Sequence, residues 1–169
     1  MKIVGNKSIS SIIKVFLIVL FVICIIAMIS LPVFVRNFES VNDISEIKDV
    51  ILEMTFMYIA AIPALLMIIE FEKIFNDFTK GNIFSRKIEN RLKRTSLYSL
   101  IIGIVFLLNC VIYNCSFGGK IFEEPFRIMY IIVIVLIALI FLILSVGLMI
   151  LKNVYRTAVD NKEENDLTI

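Results

Sequence analysis

Four long apolar runs constrain this sequence more than any other feature. Ordinary soluble domains are about 45–50% apolar, whereas 60% of these 169 residues are hydrophobic. A bilayer core about 30 Å thick requires about 20 mostly apolar residues in a helix. Three runs have this length without a charge: 15–35, 95–119 and 128–151. The remaining run, 54–69, is shorter and approaches this length only when Glu53 and Glu70 are included. The sequence therefore predicts an all-α membrane protein built as a bundle of four transmembrane helices.

The segments between these runs are short, so we predict a single membrane domain over residues 1–169. The predicted spans are about 13–35, 52–72, 95–117 and 128–151. The loop 73–94 is expected to turn at Gly81, a helix C-terminal cap. Ser85 is expected to cap a short amphipathic helix between spans 2 and 3. A second short amphipathic helix is expected to begin the tail 152–169.

The distribution of Lys and Arg predicts the orientation. Basic residues number three in the N-terminal arm, seven in the central loop and three in the tail, thirteen in all. The two loops on the opposite side carry two each. Because cytoplasmic loops carry the excess of Lys and Arg, we expect both termini to be cytoplasmic. The protein is then predicted to be a multi-pass protein of the bacterial inner membrane.

The residue types needed for catalysis are scarce. The chain has no histidine, the commonest general base and metal ligand. Cys24, Cys110 and Cys115 form no CxxC pair. No phosphate-binding glycine motif is present. Apart from the boundary residues, no acid or base lies within the predicted spans, where ion-coupled carriers place ionisable groups. We therefore expect no catalytic, cofactor-binding or metal-ligating residue, no enzyme activity and no direct binding of nucleic acid.

Two asparagines in the third span are the candidate intramembrane polar residues. Asn109 lies near the middle of the span, and Asn114 approaches its outer surface. Because an asparagine facing lipid would leave its amide unsatisfied, Asn109 should face another helix or a wet cavity. Interhelical packing is the simpler interpretation, and a ligand pocket is the alternative.

The basic segment before the third span has two interpretations. Cations there suit the anionic cytoplasmic leaflet, so lipid contact and topology explain them without a further assumption. Binding of a regulatory protein is the second interpretation. The acidic tail is either disordered or docked near this segment, where its acids would meet cations.

Two stretches resemble a known bacterial family. They are the turn and basic helix from Lys80-Gly81-Asn82-Ile83-Phe84-Ser85 to Arg94, and the C-terminal run from Ile150 through Tyr155 and Ala158 to Ile169. Both resemble the domain-of-unknown-function family DUF2975, over essentially the full length. The resemblance implies a small four-helix membrane protein without an established activity. Such proteins are often encoded beside a small Xre-type helix-turn-helix regulator.

Two functional hypotheses follow, with a membrane enzyme as a remote third. The first is a non-enzymatic protein acting through a cytoplasmic regulator or another membrane protein. The second is an oligomeric small permease, channel or immunity-type protein. The candidate interaction residues are Lys80, Gly81, Phe84, Ser85, Arg91, Arg94, Glu164, Asp166, Leu167 and Ile169.

Overall fold

A computed structural model describes residues 4–38, 44–81, 84–116 and 125–167. In this part of the chain all regular structure is helical, as the sequence predicts. The helices are α1 (Val4–Phe38), α2 (Ile44–Thr79), α3 (Arg86–Ser116) and α4 (Pro125–Leu167). Each is long and apolar enough to cross a membrane. At 1.5 Å per residue, α4 with its 43 residues is about 64 Å long, so it extends well beyond a hydrocarbon core about 30 Å thick.

The helices pack in chain order, each against the next. The α3–α4 contact is the most extensive, followed by α2–α3 and then α1–α2. A buried cluster joins α2, α3 and α4 through Ile74, Ile88, Leu92 and Leu148. Large apolar side chains elsewhere, such as Ile29 and Ile143, are exposed, as expected for surfaces that face lipid tails.

All four helices bring charged residues to one end of the molecule. This charged end comprises residues 10–14 of α1, 70–79 of α2, 86–94 of α3 and 152–163 of α4. Ser10 Oγ donates to the Phe75 carbonyl at 2.9 Å, which aligns the beginning of α1 with the end of α2. The first and last helices therefore have their chain-terminal parts at the same end of the structure.

The prediction of a separate amphipathic helix between spans 2 and 3 is wrong. Residues 86–94 form the first turns of α3, which continues without a break. Thr95 is completely buried and its hydroxyl donates to the Arg91 carbonyl at 2.8 Å. Because Ile88 and Leu92 are buried against α2 and α4, the apolar side of this segment packs within the protein rather than on the membrane. The second short helix is likewise part of α4, which runs to Leu167.

Candidate functional site

Ion pairs at the charged end connect each helix to its neighbour. Lys14 Nζ of α1 lies 3.3 Å from Glu72 Oε1 of α2. The α2–α3 pairs are Asp77 with Arg91 at 3.5 Å and Glu70 with Arg94 at 3.6 Å. Two of the predicted interaction residues, Arg91 and Arg94, thus have intramolecular acidic partners.

Arg86, the first residue of α3, makes the closest ion pairs in the described part of the chain. Its Nη2 lies 2.6 Å from Asp160 Oδ1 and 2.7 Å from Glu163 Oε2, and its Nε donates to Glu163 Oε1 at 3.2 Å. Two donors of one guanidinium on one carboxylate form a bidentate pair, which fixes geometry as well as charge. The hydrogen bond with Glu163 raises the pKa of Arg86, so the guanidinium keeps its charge at high pH. Added salt is expected to weaken this partly exposed contact.

The turn between α2 and α3 also contacts α4 through aromatic and backbone groups. The backbone N–H of Ser85 donates to the Tyr155 hydroxyl at 3.3 Å. The Phe84 ring stacks on the Tyr155 ring with centroids 6.2 Å apart, yet Phe84 remains 48% exposed. Together with Arg86, these contacts hold the turn against the last turns of α4.

Glycine and serine in the turn follow the predicted roles only in part. Gly81 has a φ of +82°, the left-handed conformation typical of the residue that ends a helix. Ser85 precedes α3, and its carbonyl accepts from the Ile88 N–H at 3.1 Å. Its hydroxyl, however, is buried without a hydrogen-bond partner among the described residues. Ser85 therefore occupies the cap position without side-chain capping.

The remaining predicted interaction residues lie around this contact. Lys80 is exposed in the turn, and Glu164 is exposed in α4. The backbone of Asp166 and Leu167 is in the last turn of α4, whereas Ile169 lies outside the described residues. The tail is thus helical as far as Leu167, and its acids Asp160 and Glu163 meet a cation. That cation is Arg86.

Polar side chains of three helices also meet towards the other end of the molecule. Asn109 of α3 is 2% exposed, and it neighbours the Tyr130 hydroxyl of α4 together with Glu53 of α2. Tyr113 packs on Tyr130 with ring centroids 4.9 Å apart. Asn109 thus faces other helices. Asn114 belongs to α3, and its side chain lies outside the described residues.

Sequence reasoning did not single out Arg86, Asp160 or Glu163 as site residues. The signal was present, because acids three residues apart in a helix share one face and can engage one guanidinium together. What the sequence does not show is that these residues meet in space, because Arg86 and Glu163 are 77 residues apart along the chain. Their contact depends on the packing of α3 against α4.

Four helices of this length and composition are those of a multi-pass membrane protein. Residues 39–169 match the model of the family described as protein of unknown function DUF2975, and the chain belongs to that family. The match begins after α1, so it covers less of the chain than the sequence resemblance suggested. No curated protein and no solved structure matches the chain.

Proposed function

We propose that the protein is a non-enzymatic membrane protein that acts by binding another protein at its charged end. A soluble cytoplasmic regulator is the first candidate, and another membrane protein is the second. The observation that carries the proposal is the contact between the two stretches resembling the family. Arg86 lies in the first stretch, and Asp160 and Glu163 lie in the second.

This contact forms a surface that we call the loop–tail surface: Lys80, Gly81, Phe84–Lys87, Tyr155, Asp160 and Glu163. Phe84 is a half-exposed aromatic ring fixed on Tyr155, and the exposed cations Lys80 and Lys87 lie on the same turn and helix start. Aromatic residues and arginine dominate the energetic centres of protein interfaces. A rigid aromatic group surrounded by charges is therefore suited to docking a soluble protein.

The charge distribution supports a cytoplasmic position for this surface. The N-terminal arm, the 73–94 loop and the tail together hold thirteen of the seventeen basic residues. By the positive-inside rule, the charged end faces the cytoplasm and both termini are cytoplasmic. In a bacterium, the membrane is then the inner membrane, and a cytoplasmic regulator has direct access to the loop–tail surface.

The proposal is tested by photo-crosslinking from position 84 in the native cell. A photoreactive amino acid replaces Phe84, and the matched control carries it at Met57, which is also exposed but lies towards the other end of α2. We expect position 84 to capture a defined soluble protein and position 57 to capture lipid or membrane proteins only. Identical adducts from both positions would show that the loop–tail surface is not a docking site.

A second variant examines whether the surface must be held together. Arg86→Gln removes the contact with Asp160 and Glu163, whereas Arg156→Gln removes an equal charge from an exposed residue whose ion pair, with Asp160, is 3.9 Å long and within α4. We expect Arg86→Gln to reduce the adduct from position 84 severalfold and Arg156→Gln to leave it nearly unchanged. Equal yields from both variants would remove the Arg86 contact from the proposal.

The alternative function, an oligomeric permease, channel or immunity-type protein, is favoured by one observation. Asn109, Tyr130 and Glu53 bring polar groups together between α2, α3 and α4, where a pathway would need them. Such a protein should self-associate in native membranes. Crosslinked copies of the chain without a soluble partner would favour this function, and a strictly monomeric protein in native membranes would contradict it.

A further inference from the structure

A groove between α3 and α4 opens beside the charged end and has a volume of about 660 Å³. This lies within the range of about 300–1,000 Å³ that is typical of small-molecule sites. Its polar wall contains the cations Lys93, Arg94 and Lys152. Its apolar wall contains Leu97, Leu100, Val146 and Met149. No aspartate or glutamate lines the groove.

The two walls follow one another along the helices. On α3 the cations precede Leu97 and Leu100, and seven residues from Lys93 to Leu100 correspond to about 10 Å along the axis. On α4 the order is reversed because the helix runs in the opposite direction: Val146 and Met149 come before Lys152. The groove is thus positive at the charged end and apolar towards the middle of the spans.

The cations in the groove differ from the other basic residues of the charged end. Arg86 has two close carboxylates and Arg91 has Asp77. Among the described residues, Lys93 and Lys152 form no ion pair and no side-chain hydrogen bond. Arg94 has one partner, Glu70 at 3.6 Å, and its side chain is 64% exposed. The groove therefore presents positive charge that the protein does not neutralise.

We propose that this groove binds a bilayer phospholipid with an anionic head group. The phosphate accepts hydrogen bonds from Lys93, Arg94 and Lys152, and an acyl chain lies along Leu97, Leu100, Val146 and Met149. Basic pockets between transmembrane helices on the cytoplasmic side bind such head groups. The exposed apolar wall favours a lipid over a free anion, because a soluble phosphate would leave that wall unused. This site is separate from the loop–tail surface, so the two proposals fail independently.

The test uses the full chain in mixed micelles with phosphatidylglycerol or phosphatidylcholine, and bound lipid is counted by native mass spectrometry. We expect the wild type to retain phosphatidylglycerol at least about tenfold more strongly than phosphatidylcholine. Equal retention of the two lipids would overturn the proposal without any variant being needed.

A matched pair of variants locates the site. Lys93→Gln with Lys152→Gln removes two charges from the groove, whereas Lys87→Gln with Lys162→Gln removes two exposed charges from the same end outside it. The first pair should lose phosphatidylglycerol by about tenfold or more, and the second by less than about twofold. Equal losses would mean that only the general surface charge attracts lipid, which contradicts a site.

Two further arms distinguish a lipid from a soluble anion. Inorganic phosphate at millimolar concentration should not displace phosphatidylglycerol, and Met149→Gln should weaken its retention because an apolar contact is lost. Displacement by phosphate, together with full retention in Met149→Gln, would assign the groove to a soluble anion and overturn the lipid proposal.

Discussion

The contact between α3 and α4 differs sharply from the contact between α1 and α2. In the most apolar window of α3, 39% of the residues are buried, against 6% in that of α1. On α3, Ser96, Ser99 and Gly103 all face α4: Ser99 Oγ donates to the Phe141 carbonyl at 2.7 Å, and a Cβ at Gly103 would lie 3.2 Å from the Ala138 carbonyl. Among its described residues, α1 has Leu17 as its one buried apolar side chain, and it makes polar contacts with α2 through Ser10, Lys14 and Met28.

The difference shows what holds helices together when lipid surrounds them. Apolar side chains gain little by leaving a lipid tail for another helix, so close backbone approach and hydrogen bonds dominate. The α3–α4 pair has small residues where the two helices approach each other closely, whereas α1 exposes large branched residues such as Ile23, Ile26 and Ile29. The family match, which covers residues 39–169, includes the closely packed helices and omits α1.

The largest expected effect comes from filling the close approach at Gly103. A Cβ there would lie 2.9 Å from Leu142 Cδ2 and Cγ and 3.2 Å from the Ala138 carbonyl, so Gly103→Leu must displace α3 from α4. Overpacking of this kind costs about 1–3 kcal/mol. We expect the free energy of unfolding, measured by titration with sodium dodecyl sulphate in mixed micelles, to fall by about 2 kcal/mol.

Gly147→Leu is the matched control, because a Cβ at Gly147 meets nothing within 4 Å. Leucine has the better helix propensity, so this variant should be neutral or slightly stabilising. If both leucine variants lost the same free energy, the close approach at Gly103 would not be what holds α3 to α4.

The next largest effect is expected from removing the reciprocal hydrogen bonds between Ser96 and Ser145 in the same interface. Ser96 Oγ donates to the Ser145 carbonyl at 2.9 Å, and Ser145 Oγ donates to the Ser96 carbonyl at 2.9 Å. Interhelical hydrogen bonds in membranes average about 0.6 kcal/mol, so Ser96→Ala and Ser145→Ala should each cost about that amount. Because the two hydroxyls lie 3.3 Å apart, a double-mutant cycle should give a non-zero coupling energy. Strict additivity would show that the pair does not act as a unit.

The apolar runs were sufficient to predict the four helices, since helix length and hydrophobicity are local properties. Where each helix begins and ends was not predictable in the same way. A separate amphipathic helix before the third span was expected from the basic pattern, but residues 86–102 contain no glycine or proline that would end a helix near Arg94. The segment stays in α3 because Ile88 and Leu92 have partners on α2 and α4, which the sequence does not reveal.

The contacts of the candidate site were also only partly predictable from the sequence. The turn at Gly81 was predictable, because glycine is favoured at the positive φ that ends a helix. The pairing of Arg91 with Asp77 and of Arg86 with Asp160 and Glu163 depends on the rotation of each helix about its axis. A small change in rotation would exchange these partners, so the charge pattern alone could not separate the paired cations from Lys93 and Lys152.

An effect smaller than that of losing both serine hydroxyls is expected from the contact between the first two helices towards the other end of α1. The Tyr58 hydroxyl donates to the Met28 carbonyl at 2.9 Å. Tyr58→Phe keeps the ring and removes this bond, so unfolding should become easier by about 0.6 kcal/mol. Tyr98→Phe is a suitable control, since Tyr98 makes no side-chain hydrogen bond among the described residues. A loss above about 2 kcal/mol from Tyr58→Phe would mean that α1 is held more firmly than its packing indicates.

The smallest effect is expected at the charged end of α1. Lys14 lies 3.3 Å from Glu72, with side-chain exposures of 35% and 29%, and partly exposed pairs of this kind contribute about 0.2–1 kcal/mol. Lys14→Gln should therefore change the free energy of unfolding by less than about 0.5 kcal/mol, and high salt should abolish even that difference. Local loosening should be easier to detect: hydrogen exchange should increase at the beginning of α1, while that of α3 and α4 stays unchanged. If exchange in α3 and α4 rose equally, α1 would be coupled to the closely packed pair, and the contrast between the two contacts would not hold.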